Sequence, residues 1–342
     1  MSIRELARHL NISIGTVSRA LNGRADVSAE TRQRVLAAAD AFGYSPNQSG
    51  RSLRQGSTGM IALMIPTNAK MPLVDTIFMA VLEGLRAFLA DRNLDLMVLL
   101  GGPEEYAYAY LRRVAERRMA DGIIITETQR RDPRIDYLIE KHIPFVAFGR
   151  SLSGGTHPWI DLDFEHVAAS AVARFVGHGH RRIALATSSS QINYGHVFAE
   201  AYRSALIGAG IPIDPEIIFR VENSEDGGYD LGGKLADVAD RPTAVLLVNE
   251  MMSVGLYRGL TERGLRPGRD VSVIAFQEEP NGRFLTPKVT CFRSPLADLG
   301  KRLGQALLAN IPAYAEAAGG RPIQEIWPME LVQGESDGPP GT

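Results

Sequence analysis

The chain has 342 residues, 45% of them apolar, which is too long for one small domain and suits two or three with sizeable cores. Its net charge of −2 hides an asymmetry: residues 1–56 carry eight arginines against four acids, the remainder 29 basic against 35 acidic side chains, the footprint of nucleic-acid contact confined to one end. Cys291 is the only cysteine, which excludes an intrachain disulfide; with no apolar leader and no run of eighteen apolar residues, a cytoplasmic protein that neither enters nor crosses a membrane is expected.

The first predicted element is a helix-turn-helix. Ser2 and Glu5 form a capping-box pattern, and Ile3, Leu6, Ala7 and Leu10 recur at helical spacing. Asn11-Ile12-Ser13 breaks that helix, and Ser13 can cap the next. On the second helix Val17, Ala20 and Leu21 are expected inside. Ile14, Gly15, Thr16, Ser18 and Arg19 are left facing out near its N-terminal end, the part of a recognition helix that reaches base edges. A third helix starts at Ser28, turns Val35, Leu36, Ala39 and Phe42 to one face, and stops at Gly43. Gln48–Gln55 has room for one or two turns, too few for a stable isolated helix, and Gly50 weakens it further.

From Met60 onward short apolar runs alternate with amphipathic helical patterns. The runs are 61–65, 95–100, 122–126, 145–148, 182–186, 217–221, 244–249 and 271–276; helical patterns include 74–91, 104–118, 164–176, 197–209, 227–238 and 251–263. Such alternation predicts parallel sheets covered on both faces. The expected organisation is an all-α headpiece over 1–45, a connecting segment 46–57 and an α/β body over 58–332 of two doubly wound lobes. Lobe one is placed at about 59–158 plus 288–321, lobe two at about 159–287 plus 322–332, and the Gly/Pro-rich tail 333–342 reads as disordered.

The headpiece resembles the lactose repressor/galactose repressor (LacI/GalR) family of transcriptional regulators. The resemblance rests on Leu6-Ala7, the run Gly15-Thr-Val-Ser-Arg-Ala-Leu-Asn-Gly23, Val27-Ser-x-Glu-Thr-Arg32, Val35-Leu-Ala-Ala38, Phe42-Gly-Tyr-Ser-Pro-Asn47 and Arg51-Ser-Leu-Arg54. It continues more loosely to about residue 332 and implies a body of the periplasmic-binding-protein type. It also implies that 46–57 is a hinge that folds on DNA, with Leu53 as a minor-groove wedge, and it adds Asn22, Asn47 and Arg51 to the DNA-contacting set. A homodimer on a pseudo-palindromic operator follows from the family, with the first-lobe helix and residues 251–263 at the dimer contact.

In open α/β sheets ligands bind beyond the carboxyl ends of strands. The residues there are Asp75 to Phe78, Gly149-Arg150, Asn193 to Phe198, Glu222-Asn223, Asn249-Glu250 and Gln277-Glu278, with Tyr194 and Trp159 as further stacking surfaces. The candidate effector contacts are therefore Asp75, Phe78, Arg150, Asn193, Phe198, Asn223, Asn249 and Gln277. By the resemblance, Asn249 stands where the family has an effector-binding Asn and Phe78 where it has a pocket aromatic. Gln277 replaces a family Asp and Phe198 a family Arg, which disfavours an anionic effector and leaves a neutral sugar or glycoside. Local readings stand beside these: Asn249 as a helix cap, Gln277 as a turn residue, Arg150 as a lobe-closing ion-pair partner. No dinucleotide fingerprint, phosphate loop or nucleophile elbow occurs, and His178-Gly-His180 falls in a turn where the family has a structural histidine. No catalytic residue, metal or cofactor is expected. The sequence reads as an effector-responsive repressor of carbohydrate uptake or catabolism genes; the alternatives are a non-sugar effector or a ligand-independent DNA binder.

Overall fold

The computed structural model describes residues 2–21, 23–24, 26–44, 57–65, 76–102, 104–276, 282–315 and 321–341, and the chain divides into two compact units, 1–58 and 59–342. In the first, α1 (Ile3–Leu10), α2 (Ile14–Leu21) and α3 (Ala29–Ala41) surround a core of Leu6, Ala7, Val17, Ala20, Val27, Val35 and Ala39. Both halves of the capping box form: Glu5 N–H donates to Ser2 Oγ at 3.3 Å, and Ser2 N–H to Glu5 Oε2 at 2.7 Å. Asn11 closes α1 in the left-handed conformation at φ 54°. Ser13 Oγ then accepts from Thr16 N–H at 3.0 Å, starting α2. Leu36 and Phe42, expected inside, are 49% and 43% exposed; Phe42 instead meets His9 edge-on at 4.6 Å.

The second unit holds two parallel sheets. The strands β1 (Met60–Ile65), β2 (Asp95–Leu100), β3 (Gly122–Ile125), β4 (Phe145–Phe148), β5 (Trp159–Leu162) and β11 (Gln324–Trp327) form a six-stranded sheet in the order β11-β5-β4-β3-β1-β2. A four-stranded sheet has the order β7-β6-β8-β9, from β6 (Ile183–Ser188), β7 (Ile218–Val221), β8 (Ala244–Leu247) and β9 (Ser272–Ala275). The connecting helices are α4 (Thr76–Ala90), α5 (Glu104–Glu116), α6 (Pro133–Glu140), α7 (Phe164–Gly177), α8 (Asn193–Gly208), α9 (Glu225–Asp237), α10 (Met252–Thr261) and α11 (Leu296–Leu308). A short antiparallel ribbon joins β10 (Cys291–Arg293) to β12 (Glu330–Val332).

Alternation along β1 explains the layering. Ile61, Leu63 and Ile65 enter one core with α4 and α11, while Ala62 and Met64 enter another with α5 and α6. Each fully buried Ile or Leu contributes roughly 1.5–3 kcal/mol relative to exposure. In lobe two, α9 and α10 cross backbone to backbone: a Cβ on Gly255 would lie 1.7 Å from Glu225 O, so only glycine permits this packing.

Two expectations fail here. Because β5 pairs with β4 and with β11, residues 159–162 and 324–327 belong to the first sheet, not to lobe two. At the other end residues 288–290 lean on lobe two, where Ala275 N–H donates to Thr290 O at 3.0 Å. Among the described residues the chain crosses between lobes at 162–164, at β10 and between β11 and β12. The tail, expected to be disordered, is a strap on the edge of β9. Val273 N–H donates to Ser336 O at 2.8 Å, and Ser336 Oγ donates to Val273 O at 2.6 Å. The Asp337 carboxylate is wholly buried, where it accepts from Arg174 and Thr290 and pairs with His178 Nε2 at 3.2 Å. His180 Nδ1 bonds Thr243 Oγ1 at 2.8 Å and its Nε2 reaches Gly338 O at 2.8 Å, so both imidazoles of the His-Gly-His turn serve the tail.

Replacing Asp337 by Ala leaves Arg174 without its buried carboxylate. The expected loss in urea or thermal unfolding is on the order of 3 kcal/mol, the cost of breaking a buried pair; an unchanged midpoint would detach the tail from the fold. A second expectation concerns His157 in the β4–β5 loop, 6% exposed and stacked on Phe145 at 5.4 Å. Burial holds its pKa below the ordinary 6.5. A depressed histidine contributes stability above that value and loses it as pH falls towards the folded-state pKa. His157→Phe should therefore flatten the acid side of the stability–pH profile below pH 6.5, and a parental slope would contradict this.

Candidate functional site

The headpiece presents one candidate surface. Ile14 is 45% exposed, Ser13 and Gly15 are exposed, Thr16 is half-buried with its hydroxyl 2.9 Å from Ser13 Oγ, and Arg19 points outward. Arg19 Nε lies 3.3 Å from Asp26 Oδ2 with both side chains more than half exposed, so the pair is weak and the guanidinium can be given up to another acceptor. Ser18 departs from the expectation. It is only 9% exposed, because the phase that buries Val17 also turns its neighbour inward. Arg32 is a brace: its Nη2 donates to the carbonyls of Gly23 at 3.2 Å and Arg24 at 2.7 Å, tying α3 to the turn after α2. Asn22, Asn47, Arg51 and Leu53 lie outside the described residues.

In the body, the carboxyl ends of β3, β4 and β6 meet at a seam between the lobes. Asn193 opens α8, and its N–H donates to Thr128 O at 2.8 Å; Gln129 bridges Ile192 antiparallel, and Arg130 N–H donates to Gln191 O at 3.3 Å. Arg130 Nη1 reaches Glu200 Oε1 at 3.1 Å across the same seam. The loop after β3 is held by a buried pair, Arg134 Nη2 to Asp132 Oδ2 at 2.7 Å, and Arg134 also donates to Thr126 O and Glu127 O.

Arg150 stands at the centre of this seam, and it is not free to bind a ligand. Its Nε donates to Asp161 Oδ2 at 2.7 Å, and its Nη1 and Nη2 donate to the two oxygens of Glu165, each at 2.8 Å. Its carbonyl accepts from Thr128 Oγ1 at 2.9 Å and from Asn193 Nδ2 at 2.8 Å. Gly149 makes this approach possible: at φ 119°, a Cβ there would lie 2.5 Å from Thr128 Oγ1. Burial opposes the Arg150 charge, but Glu165 and Asp161 outweigh it and raise its pKa. Burial pushes the enclosed Asp161 carboxyl up to about 6 against the pull of Arg150. Glu165 is half exposed; burial raises its pKa, yet the Arg150 contacts win and hold it below the ordinary value. The expected effector contacts of Arg150 and Asn193 are thus replaced by interlobe bonds.

Phe198 also departs from expectation. It is fully buried, edge-on to Phe164 at 6.3 Å and Phe276 at 5.9 Å, and belongs to the lobe-two core. Above it runs a three-ring stack: Tyr194 lies 5.3 Å from Phe164, which lies 4.7 Å from Phe276. Tyr194 is half-buried, and its hydroxyl accepts from Asn223 Nδ2 at 2.5 Å while Asn223 Oδ1 is buried without a hydrogen-bond partner. Asn249, half-buried after β8, accepts Met251 N–H on its Oδ1 at 3.0 Å. This is a local turn contact ahead of α10, whose N-cap is Met251 without a side-chain cap bond, so Asn249 is not the helix cap; the contact still holds its amide oxygen. On lobe one, half-buried Phe78 lies 6.4 Å from Phe148, again edge-on. Asp75 and Gln277 lie outside the described residues.

Sequence reasoning missed Asp161, Glu165, Arg130 and Glu200. Asp161 carried a signal, since a carboxylate between Ile160 and Leu162 in an apolar strand needs a buried cation. Arg130 and Glu200 carried none, because both are ordinary surface residues that only the fold brings together. Among the described residues no helix is long and apolar enough to cross a membrane.

Comparison with known proteins accords with this architecture. Residues 2–47 match the family described as bacterial regulatory proteins, lacI family, and residues 172–336 a periplasmic binding protein-like domain. The chain is 31% identical to the HTH-type transcriptional regulator AglR of Rhizobium meliloti (strain 1021), over 99% of its length and 95% of the relative's. It is 33% identical to the HTH-type transcriptional regulator RafR of Escherichia coli, over 82% of each chain. The lac repressor dimer solved on its operator with the anti-inducer ONPF superposes with a TM-score of 0.86 at 21% identity, over 98% of each chain, a likeness of fold. The headpiece, the two-lobed body and the full-length relatives agree: this chain belongs to the lacI family of bacterial regulatory proteins.

Proposed function

We propose that the protein is a sequence-specific, effector-responsive DNA-binding regulator, a repressor of carbohydrate uptake or catabolism genes, rather than an enzyme. The observation that carries the DNA-binding part is the outward N-terminal end of α2, where Ser13, Ile14, Gly15, Thr16 and Arg19 line an uncovered face beside a weak ion pair. A recognition helix needs small residues there for close approach and one fork-shaped donor for a guanine edge. Arg19 supplies the fork. The full-length relatives named as transcriptional regulators support the same reading. A homodimer on a two-fold DNA site fits it, since two such headpieces read two half-sites.

The effector we infer is neutral and rich in hydroxyls, a sugar or glycoside. Arg150 is already neutralised by Asp161 and Glu165, and Phe198 offers no charge, so neither supports an anion. What remains near the strand ends of lobe two is the fixed amide of Asn249, the Asn223–Tyr194 pair and an aromatic stack, with Phe78 and Phe148 on lobe one. Amides serve as donor and acceptor together, and aromatic faces pack the C–H side of a sugar ring.

For the headpiece, the protein first selects duplexes from a random pool. Arg19→Ala should then cost about 1–3 kcal/mol on the selected duplex and little on a scrambled one, as expected for a base contact. Equal losses on both would make Arg19 a phosphate contact. For the body, calorimetry of the full-length protein against neutral sugars and their phosphorylated or carboxylated counterparts should find heat only with the neutral set. Asn249→Ala should weaken that binding by about 1–3 kcal/mol, the penalty for a hydroxyl left unpaired on burial, while duplex binding without ligand stays near parental. A carboxylate or phosphate as the tight ligand would overturn the neutral-effector reading.

A further inference from the structure

The β5-to-α7 crossover at 162–164 carries the chain from lobe one to lobe two, and the acids on its two sides share one cation. Asp161 is the last but one residue of β5 in the six-stranded sheet; Glu165 is in the first turn of α7, whose Phe164 lies in the lobe-two aromatic stack. Arg150 comes from a different strand end, after β4, and bonds both acids at once. Its guanidinium also lies 5.9 Å from the centroid of Trp159. Its carbonyl, meanwhile, receives the side chain of Asn193 from the start of α8 in lobe two.

We propose that Arg150 is the pin of the interlobe hinge, a positioning residue that fixes the angle of the β5-to-α7 crossover by bonding a carboxylate on each side of it. Only a planar fork can do this. Three of its N–H groups meet three carboxylate oxygens on two residues, and each oxygen constrains a different direction. A lysine in its place would satisfy one acid and release the other. The two halves of the pin differ in strength. Asp161 is enclosed, with its side chain 4% exposed, and anchors the guanidinium to lobe one. The Glu165 half reaches a side chain 49% exposed and is the separable part, so it can break while the anchor holds. That asymmetry suits a hinge: opening the lobes costs the outer bonds without stranding the buried carboxylate. The proposal deepens the reading of the body as the effector-responsive part, yet its test requires neither effector nor DNA.

The test measures the angle directly. Cysteines at Arg117, exposed beyond α5 in lobe one, and Ile207, 66% exposed on α8 in lobe two, accept spin labels in the full-length chain. Cys291 is 4% exposed and shielded from labelling. With labelled chains diluted into excess unlabelled protein, so that labels on a second copy do not contribute, pulsed electron resonance should give one intrachain interlobe distance for the parent. Glu165→Gln, which keeps the shape and removes the charge-assisted fork, should add a longer-distance population while the melting temperature stays within a few degrees. Glu165→Asp, one methylene too short for both bonds, should fall between the two. A single parental distance in both variants overturns the proposal, whatever happens to the melting temperature. A lower melting temperature with unchanged distances would assign Arg150 a purely structural role.

Discussion

The body depends on how Arg150 is satisfied. A half-buried guanidinium cannot remain in a lobe seam without anions, and here two acids flanking a crossover provide them. Its surroundings follow from that. Gly149 has to lack a side chain so that Thr128 reaches the Arg150 carbonyl, and Asn193 has to open α8 so that its amide reaches the same atom. The buried Arg134–Asp132 pair then shapes the loop that offers Thr128 and Arg130 to the second lobe. The result is a set of polar contacts across the seam, made by Thr128, Arg130, Arg150, Glu165, Asn193 and Glu200, beside an apolar core that runs continuously through both lobes.

That arrangement bears on what the protein can sense. A clamp for a carboxylate or phosphate needs a cation whose charge is not already balanced, and the seam arginine directs three of its five N–H groups at two carboxylates within the protein. The aromatic and amide groups near the strand ends have orientations fixed by neighbours: Tyr194 by Phe164 and Asn223, Asn249 by the Met251 N–H. Preorganised neutral groups discriminate by hydrogen-bond pattern rather than by charge.

Much of this was legible in the sequence wherever the determinant is local. The capping box at Ser2 and Glu5, the Ser13 cap and the Leu6, Val17, Ala20 spacing each lie within a few residues and formed as read. The βα alternation was equally legible, because buried parallel strands are continuous apolar runs. What could not be read depends on pairing at a distance. The lobe of β5 is decided by its pairing with β4, and β11, more than 160 residues later in the chain, joins that sheet only through β5; the tail is ordered by bonds from Ser336 and Asp337 to β9, Thr290 and α7 rather than by its Gly/Pro composition. Site residues failed for the same reason. Phe198 follows the rotation of α8 into the core, and Arg150 follows two acids whose position depends on β5 pairing with β4.

The central claim is that occupancy of the two-lobed body alters the hold of the headpiece on DNA. The most direct measurement is fluorescence anisotropy of a labelled, protein-selected duplex with the full-length chain, titrated with each neutral sugar found to bind. The account predicts that a bound neutral sugar shifts the duplex Kd by tenfold or more, in either direction, corresponding to about 1.4 kcal/mol of coupling. A sugar that saturates the body and leaves the duplex Kd unchanged would contradict it.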